Sequence, residues 1–299
     1  MNITPLIGRK DLLGECPIWD AQKQSLYWVD AVGRLVHRYE PSSGNRDSWS
    51  VPSVIGSIAL AQDGCIILAL EDGFYRLDTG SDAIELIASL QHPAEKMRLN
   101  DGRTDRQGRF LSGSMVVGRH DREGALYRLN LDGSVEILDN GIAISNSICF
   151  SPKGDRLYYS DSLAHTIYTR TYDTVSGEVG PREDFVHTLA LGSAPDGATV
   201  DAEGYLWVAL VQSGKLARFS PDGALERQIM FPTTFVSCPC FGGADLDILY
   251  VTTISNSGNL LVATDEGAGY VYEITGLGIS GIEEVRFGGA RKNLEMERV

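Results

Sequence analysis

Short apolar runs bounded by turn residues recur along the whole chain. They are rich in β-branched and aromatic residues and read SLYWVD, CIILAL, RFLSGS, RLYYSD, YLWVAL and ILYVTT. Turns that contain Asp, Gly or Pro precede them, and a second run of the same kind follows each, from GRLVHRYE in the first unit to GYVYEIT in the last. Because no long stretch has the spacing of an amphipathic helix, the pattern predicts an all-β protein.

The units that contain these runs repeat at nearly constant intervals. Stepping back five residues from the start of each turn, and aligning the last unit on its strand, gives positions separated by 41, 44, 46, 50 and 42 residues. These positions, the ring positions below, are Glu15, Gly56, Asn100, Asn146, Asp196 and Cys238. Six units of about 50 residues, each with three or four strands, predict a six-bladed β-propeller. A two-sheet sandwich needs only seven to nine strands, and we count about twenty.

The predicted propeller occupies the whole chain as a single domain, residues 1–299. We expect the leading segment ITPLIGRKDLLG to add a strand to the last blade, and about ten C-terminal residues to form a flexible tail. A closed ring leaves no sheet edge that demands a partner. The expected state is therefore a monomer or a weak homo-oligomer.

Charge and cysteine content narrow the class of protein. The formal net charge of −14 disfavours nucleic acid and anionic membranes as partners. Five cysteines without the spacing of a disulfide framework or a zinc site indicate buried thiols in a reducing compartment. The N-terminal residues have no apolar signal region and no run is long enough to span a membrane, so we expect a cytoplasmic protein.

Four ring positions carry a side-chain oxygen: Glu15, Asn100, Asn146 and Asp196. Carboxylates crowded at a channel mouth repel each other and lose hydration unless a cation neutralises them. A divalent cation held by Glu15, Asn146 and Asp196 meets that need, and all-oxygen ligation suits Ca²⁺, Mg²⁺ or Mn²⁺. The alternative is that these side chains only cap turns. Four in register favour the cation site.

Three neighbours of Asn100 are candidate substrate contacts. Arg98 lies two residues earlier, on the same side of an extended strand, and could bind substrate hydroxyls or form a plain salt bridge. Asp101 could hydrogen bond to substrate or only close the NDG turn. His120 follows the same segment and could lie near the ring and contact substrate, although the sequence favours a solvated loop histidine.

Five segments in order closely resemble the SMP-30/gluconolactonase/regucalcin family: GECPIWD, RLNDGRTDRQGRFLSGSM, SNSICFSPKGDRLYYSDS, PDGATVDAEGYLWVA and CFGGADLDILYVTT. The resemblance implies a six-bladed propeller with one catalytic divalent metal, which hydrolyses sugar lactones. It implies Glu15, Asn146 and Asp196 as metal ligands, with Asp196 also the base. It implies substrate contacts at Arg98, Asn100 and Asp101. The tripeptides ECP, SNS and GSM differ from those usual in the family. They keep the ligand residues but change the expected shape of the substrate pocket. Some family members have an acidic residue near the position of His120.

The function predicted from these observations is metal-dependent hydrolysis of a pentono- or hexonolactone to the aldonic acid, in a sugar oxidation pathway. The metal, Ca²⁺, Mg²⁺, Mn²⁺, Zn²⁺ or Fe²⁺, acts as Lewis acid and Asp196 as general base. Three alternatives remain open: a non-catalytic Ca²⁺-binding regulatory protein of the regucalcin type, a metal-dependent esterase or phosphotriesterase, and a protein-interaction propeller. The esterase needs an apolar pocket, whereas Arg98 and Asn100 favour a polyhydroxylated substrate.

Overall fold

The computed structural model of the protein describes residues 1–118 and 120–289. Their strands form six antiparallel sheets of four strands each, and the only helices in these ranges are two short 3₁₀ turns. The prediction of an all-β six-bladed propeller is confirmed. The expected C-terminal tail lies outside the described residues, and the single-domain assignment stays a prediction. Within the described ranges, neither helix is long and apolar enough to cross a membrane.

Each blade begins with its inner strand at the channel. Blade 1 contains β2 (Gly14–Asp20), β3 (Ser25–Asp30), β4 (Leu35–Tyr39) and β5 (Arg46–Ser50). Blade 2 contains β6 (Ser57–Leu60), β7 (Ile66–Ala69), β8 (Gly73–Asp78) and β9 (Ala83–Ser89). Blade 3 contains β10 (Met97–Thr104), β11 (Phe110–Val116), β12 (Gly124–Leu129) and β13 (Val135–Ile142).

The remaining blades follow the same order until the last one. Blade 4 contains β14 (Ser145–Phe150), β15 (Arg156–Asp161), β16 (Thr166–Thr171) and β17 (Glu183–His187). Blade 5 contains β18 (Pro195–Val200), β19 (Leu206–Leu210), β20 (Lys215–Phe219) and β21 (Leu225–Met230). Blade 6 contains β22 (Val236–Gly242), β23 (Ile248–Thr253), β24 (Tyr272–Thr275) and, on its outer edge, β1 (Asn2–Pro5). The N-terminal segment thus supplies the closing strand, as expected.

The core lies between the blades, and its side chains are most completely buried in the inner strands near the channel. Every residue of β14 and β22 is buried, whereas most of β9 and β13 is exposed or half-buried. Each inner strand contacts the inner strands on both sides, and β2 contacts β22, which closes the ring. All five cysteines are buried free thiols, as the sequence predicts.

Residues 280–289, which we call the strap, cross the end of the channel where the inner strands finish. Backbone hydrogen bonds join the strap to the β22–β23 turn (Gly281 N–H to Leu246 O, 2.8 Å) and to the end of β6 (Phe287 N–H to Leu60 O, 2.8 Å). A third joins it to the β10–β11 turn (Gly288 N–H to Gly108 O, 3.1 Å). The ring positions lie at the start of the inner strands, so the strap covers the opposite face.

Arg103 fills the channel between the strap and the ring positions. Its side chain is 1% exposed. The guanidinium donates to the backbone oxygens of Pro17 in blade 1 (3.2 Å) and Ala198 in blade 5 (3.1 Å). Glu284 of the strap lies 3.7 Å from Arg103 Nε and 3.2 Å from Arg106 Nη1. The channel is thus closed by an arginine that reaches across it and by the acidic partner of that arginine.

Candidate active site

A cavity of about 350 Å³ opens at the face where the inner strands begin. Its lining includes the four oxygen-bearing ring residues: Glu15, Asn100, Asn146 and Asp196. Arg98 and His120 also line it, and His120 lies exposed at its mouth. One cavity therefore brings together all the predicted metal ligands and three of the four predicted substrate contacts.

The two other ring positions are filled by packing. Gly56 faces the backbone of blade 3, and a Cβ there would lie 2.4 Å from the backbone oxygen of Asn100. Cys238 is fully buried with its thiol against Gly197, and burial raises its pKa well above the usual range. These two blades contribute close packing between blades at the ring level, not polar groups.

A directed chain of hydrogen bonds connects the polar residues of the cavity. Arg98 Nη1 donates to Asn100 Oδ1 (2.6 Å), and Asn100 Nδ2 donates to Asn146 Oδ1 (2.8 Å). Asn146 Nδ2 then donates to Ser162 Oγ (2.8 Å), which donates to the backbone oxygen of Pro195 (2.7 Å). An amide oxygen has two lone pairs, so Asn146 Oδ1 keeps one acceptor site for a ligand.

Glu15 and Asp196 share an environment that opposes their ionisation. Burial raises the pKa of both carboxyls well above the ordinary range, and the negative charge of Asp101 raises both further. Asp196 also repels Glu15, whereas the guanidinium of Arg98 lowers both pKa values. Each unit of such a shift represents about 1.4 kcal/mol of disfavoured charge. A cation placed between the two carboxyls would offset this cost.

These residues fit an oxygen-ligated divalent cation. No cluster of three or more His, Cys, Asp or Glu side chains suited to a metal occurs in residues 1–118 and 120–289. The predicted ligands instead pair two carboxylates, Glu15 and Asp196, with the amide oxygen of Asn146. Two carboxylates and one neutral oxygen on a rigid ring suit a hard cation, which completes its shell with water or substrate oxygens.

Backbone irregularities aim the ring residues at the cavity. Five of the six inner strands shift register close to the ring position, as β-bulges do when they re-aim side chains. Cys16 and Ser147 follow Glu15 and Asn146 with φ of 46° and 58°, a left-handed conformation that is uncommon for residues other than glycine. Ser147 Oγ donates to the backbone oxygen of Asp196. The bulge residue of blade 4 thus supports the catalytic candidate of blade 5.

Asp101 lies behind the cavity wall and connects blades 3 and 4. Its side chain is buried, and Oδ2 accepts the backbone N–H of Ile148 at 2.7 Å. Burial raises the pKa of Asp101 to about 6, although Arg103 and the Ile148 N–H lower it in part. The Asp101 carboxylate acts on Glu15 and Asp196 only by electrostatic repulsion, whereas the side chain of Asn100, on the same strand, faces the cavity.

The raised pKa of Asp101 predicts a pH-dependent stability difference for Asp101→Asn. The folded pKa of about 6 lies above the unfolded value of about 3.9. The carboxylate therefore costs stability above pH 6, and the cost disappears below pH 4. In metal-free protein the variant should gain about 3 kcal/mol relative to wild type between pH 4 and pH 8. Urea unfolding at both pH values measures this, and a difference that does not change with pH would contradict it.

Sequence reasoning missed two serines that organise the site. Ser162 holds the Asn146 amide, and Ser147 holds the Asp196 backbone. The only sequence signal is positional: Ser147 directly follows a ring residue, the same register as Cys16 and Asp101. Ser162 begins a 3₁₀ turn after β15, where the sequence alone indicates only a strand end.

Comparison with known proteins identifies relatives over most of the chain. A model of the SMP-30/gluconolactonase/LRE-like region matches residues 13–255. A 6-deoxy-6-sulfogluconolactonase of Pseudomonas putida is 34% identical over 250 residues, which is 83% of this chain and 85% of the relative. A pentonolactonase of Haloferax volcanii is 33% identical over 259 residues, 87% of each chain.

Solved structures give the same result. The structure of a calcium-binding protein named regucalcin, from Agrobacterium tumefaciens, superposes with a TM-score of 0.88 at 27% identity. The match covers 96% of this chain and 97% of the other. The family model, the relatives and the superposed structure agree with one another over most of the chain. This chain belongs to the SMP-30/gluconolactonase/LRE-like family.

Proposed function

We propose that this protein is a metal-dependent sugar lactonase, which hydrolyses a pentono- or hexonolactone to the aldonic acid. The observation that carries the proposal is the pairing, in one cavity, of two carboxyls, those of the half-buried Glu15 and the buried Asp196, with the Arg98–Asn100 hydrogen-bonded pair. The lactonase names of the relatives from Pseudomonas and Haloferax support the reaction class. The calcium-binding description of the regucalcin structure supports a divalent cation.

Three residues would hold the cation: Glu15, Asn146 and Asp196. A bound divalent ion supplies Lewis acidity toward a carbonyl oxygen. Asn146 is oriented for this role because its Nδ2 is committed to Ser162, which leaves the Oδ1 side facing the ring. The Asn100 amide fixes the same oxygen from blade 3.

Asp196 acts as the general base in this mechanism. Opening a lactone by water requires a group that accepts the proton of the attacking water, and a carboxylate at the cavity floor can do so. Burial raises the pKa of Asp196 in the metal-free protein, and a cation held beside it would lower that pKa and keep the carboxylate ionised as a proton acceptor. The support of its backbone by Ser147 restricts the angle at which it meets the substrate.

Arg98 and Asn100 bind the polar part of the substrate. The hydrogen bonds of Arg98 within the described residues use only Nη1, which leaves donors on Nε and Nη2 for hydroxyl groups or for the developing negative charge. A preorganised donor of this kind contributes on the order of 2–4 kcal/mol to the transition state. His120, exposed at the mouth, is a further candidate contact.

The test is a rate panel with metal-stripped protein. Ca²⁺, Mg²⁺, Mn²⁺, Zn²⁺ and Fe²⁺ are restored separately, and initial hydrolysis of pentono- and hexonolactones is followed by acid release. We expect turnover above the spontaneous rate with at least one metal and none in excess chelator. Tight metal binding without turnover of any lactone would favour a Ca²⁺-binding regulatory protein. Faster hydrolysis of aryl esters or phosphotriesters would favour the esterase class.

A further inference from the structure

The walls of the active-site cavity differ in polarity from one side to the other. Outside the three candidate metal ligands, the charged or titratable side chains that line the cavity are on blade 3, Arg98 and His120, and the amide of Asn100 lies beside them. In a ring of six blades, blade 3 lies directly across the channel from blade 6. A substrate held by Arg98 therefore points its far end toward blade 6.

Apart from the carboxyls of Glu15 and Asp196 and the uncharged polar side chains of Gln212 and Ser257, the side formed by blades 5, 6 and 1 is apolar. Its lining includes Leu13, Ala194, Val211 and Ile254, each no more than 7% exposed. These four residues belong to one continuous apolar cluster, and Leu261 packs against that cluster from the cavity side. The wall is thus an extension of the hydrophobic core into the active site.

A small hairpin of blade 6, residues 255–263, completes this wall at the mouth. It is closed by pairing of Asn256 with Val262 and by the bond from Ala263 N–H to Ser255 O (3.0 Å). The hairpin brings Leu260 to the cavity with 60% of its surface exposed. When a ligand covers a bulky apolar side chain that is exposed to solvent at the edge of a cavity, removal of this apolar surface from water favours binding.

The two uncharged polar side chains on this side are not buried, unpaired groups that require a ligand hydroxyl. Ser257 Oγ accepts the N–H of Leu261 at 2.9 Å, and Gln212 is exposed to solvent, where water can satisfy its amide. A substrate hydroxyl pressed against Leu13, Ile254 and Leu261 would exchange water hydrogen bonds for apolar contact, which is unfavourable. A methyl group in the same place would instead lose unfavourable hydration.

We propose that the substrate is a deoxy-sugar lactone, with a methyl group where the corresponding sugar lactone has a hydroxymethyl group. This inference rests on the proposed lactonase function and specifies its substrate class. The blade 3 side binds the hydroxyls of the lactone, and the methyl group contacts the wall formed by Leu13, Ile254, Leu260 and Leu261. A terminal sulfonate or phosphate is excluded from that wall, because the cations lining the described cavity, Arg98 and His120, are on blade 3.

The test uses matched pairs of lactones of the same ring size that differ only in the terminal group. L-Rhamnonolactone is compared with L-mannonolactone, and D-fuconolactone with D-galactonolactone, with the metal that supports turnover. We expect kcat/KM for the deoxy member of at least one pair to exceed that of its hydroxylated partner by at least tenfold, the scale of discrimination by apolar pockets.

Two variants of the hairpin locate the preference. Leu260→Ser should lower the ratio of kcat/KM within that pair at least threefold. Val262→Ser is the matched control: it lies in the same hairpin, is 55% exposed and is not among the residues lining the cavity, so it should leave the ratio unchanged. Equal effects of the two substitutions would overturn the proposal.

The outcomes separate this inference from the function on which it rests. If wild-type protein hydrolyses hydroxylated lactones as fast as deoxy lactones, the apolar wall does not select the substrate, but the lactonase function stands. If neither series is hydrolysed with any of the five metals, both the function and the inference fail. Preference for a deoxy lactone that disappears in Leu260→Ser and persists in Val262→Ser supports both.

Discussion

Asp196→Asn is expected to lower kcat for lactone hydrolysis by about 10²- to 10⁴-fold, the contribution of a positioned general base. Asparagine keeps the size of the side chain but cannot take a proton from water. It also removes one of the two carboxylates on which the cation depends. Initial rates at saturating metal and lactone measure the effect.

The same substitution should stabilise the metal-free protein, which separates catalysis from folding. Burial raises the folded pKa of Asp196, so its carboxylate costs stability at a pH above that value, and the cost is lost as the pH falls toward the unfolded value. In chelator at pH 8, Asp196→Asn should therefore unfold at a higher urea concentration than wild type. Asp245→Asn is the control, because this exposed carboxylate lies in the β22–β23 turn at the opposite end of the channel, and it should leave both the turnover and the urea midpoint close to those of wild type. Turnover near the wild-type rate in Asp196→Asn would refute its assigned role.

Glu284→Gln should destabilise the fold by about 3 kcal/mol, at the lower end of the cost of removing one partner from a buried ion pair. The charge of Arg103 stays in the channel, where its side chain is 1% exposed. Two backbone oxygens, those of Pro17 and Ala198, still accept its hydrogen bonds, which limits the loss. Urea unfolding monitored by tryptophan fluorescence gives the free energy.

The neighbouring glutamate provides the control for this effect. Glu283 is exposed, so Glu283→Gln should change stability by no more than about 0.5 kcal/mol. A similar result for the two variants would mean that the strap contributes no buried charge pairing to the fold. Turnover at 25 °C should remain in both, because the strap lies at the far end of the channel from Asp196.

The architecture is predictable from the sequence because each blade carries its own local signals. Strand-forming runs, turn glycines and a spacing near 50 residues recur six times, so errors in one unit do not change the count. The same register brings Glu15, Asn146 and Asp196 to equivalent places at the start of β2, β14 and β18. Even the added strand, β1, can be inferred, since a ring needs a closing partner.

Side-chain direction next to the ring depends on backbone detail that the repeat does not carry. Asn100 and Asp101 are adjacent polar residues, yet one faces the cavity and the other binds the N–H of Ile148 in the next blade. The left-handed conformations of Cys16 and Ser147 occur at residues that normally avoid them, so the local sequence gives no warning.

Features built from distant segments were also beyond sequence reasoning. The strap has no counterpart in the other units, and its contacts with Leu60, Gly108 and Leu246 exist only once the ring has closed. The apolar wall required knowing that the hairpin carrying Leu260 faces Arg98 across the channel. That the hairpin and Arg98 lie on opposite sides of the channel follows from the circular order of the blades and not from any single motif.

The pairing of β1 with β24 affects how the chain folds during its synthesis. Asn2 pairs with Thr275, so β1 leaves the ribosome long before β24, the strand with which it pairs. Until β24 is made, β1 has no partner, and an unpaired strand can pair with another chain. Nascent or refolding protein should therefore aggregate through blade 6, with a yield of native protein that falls as the protein concentration rises.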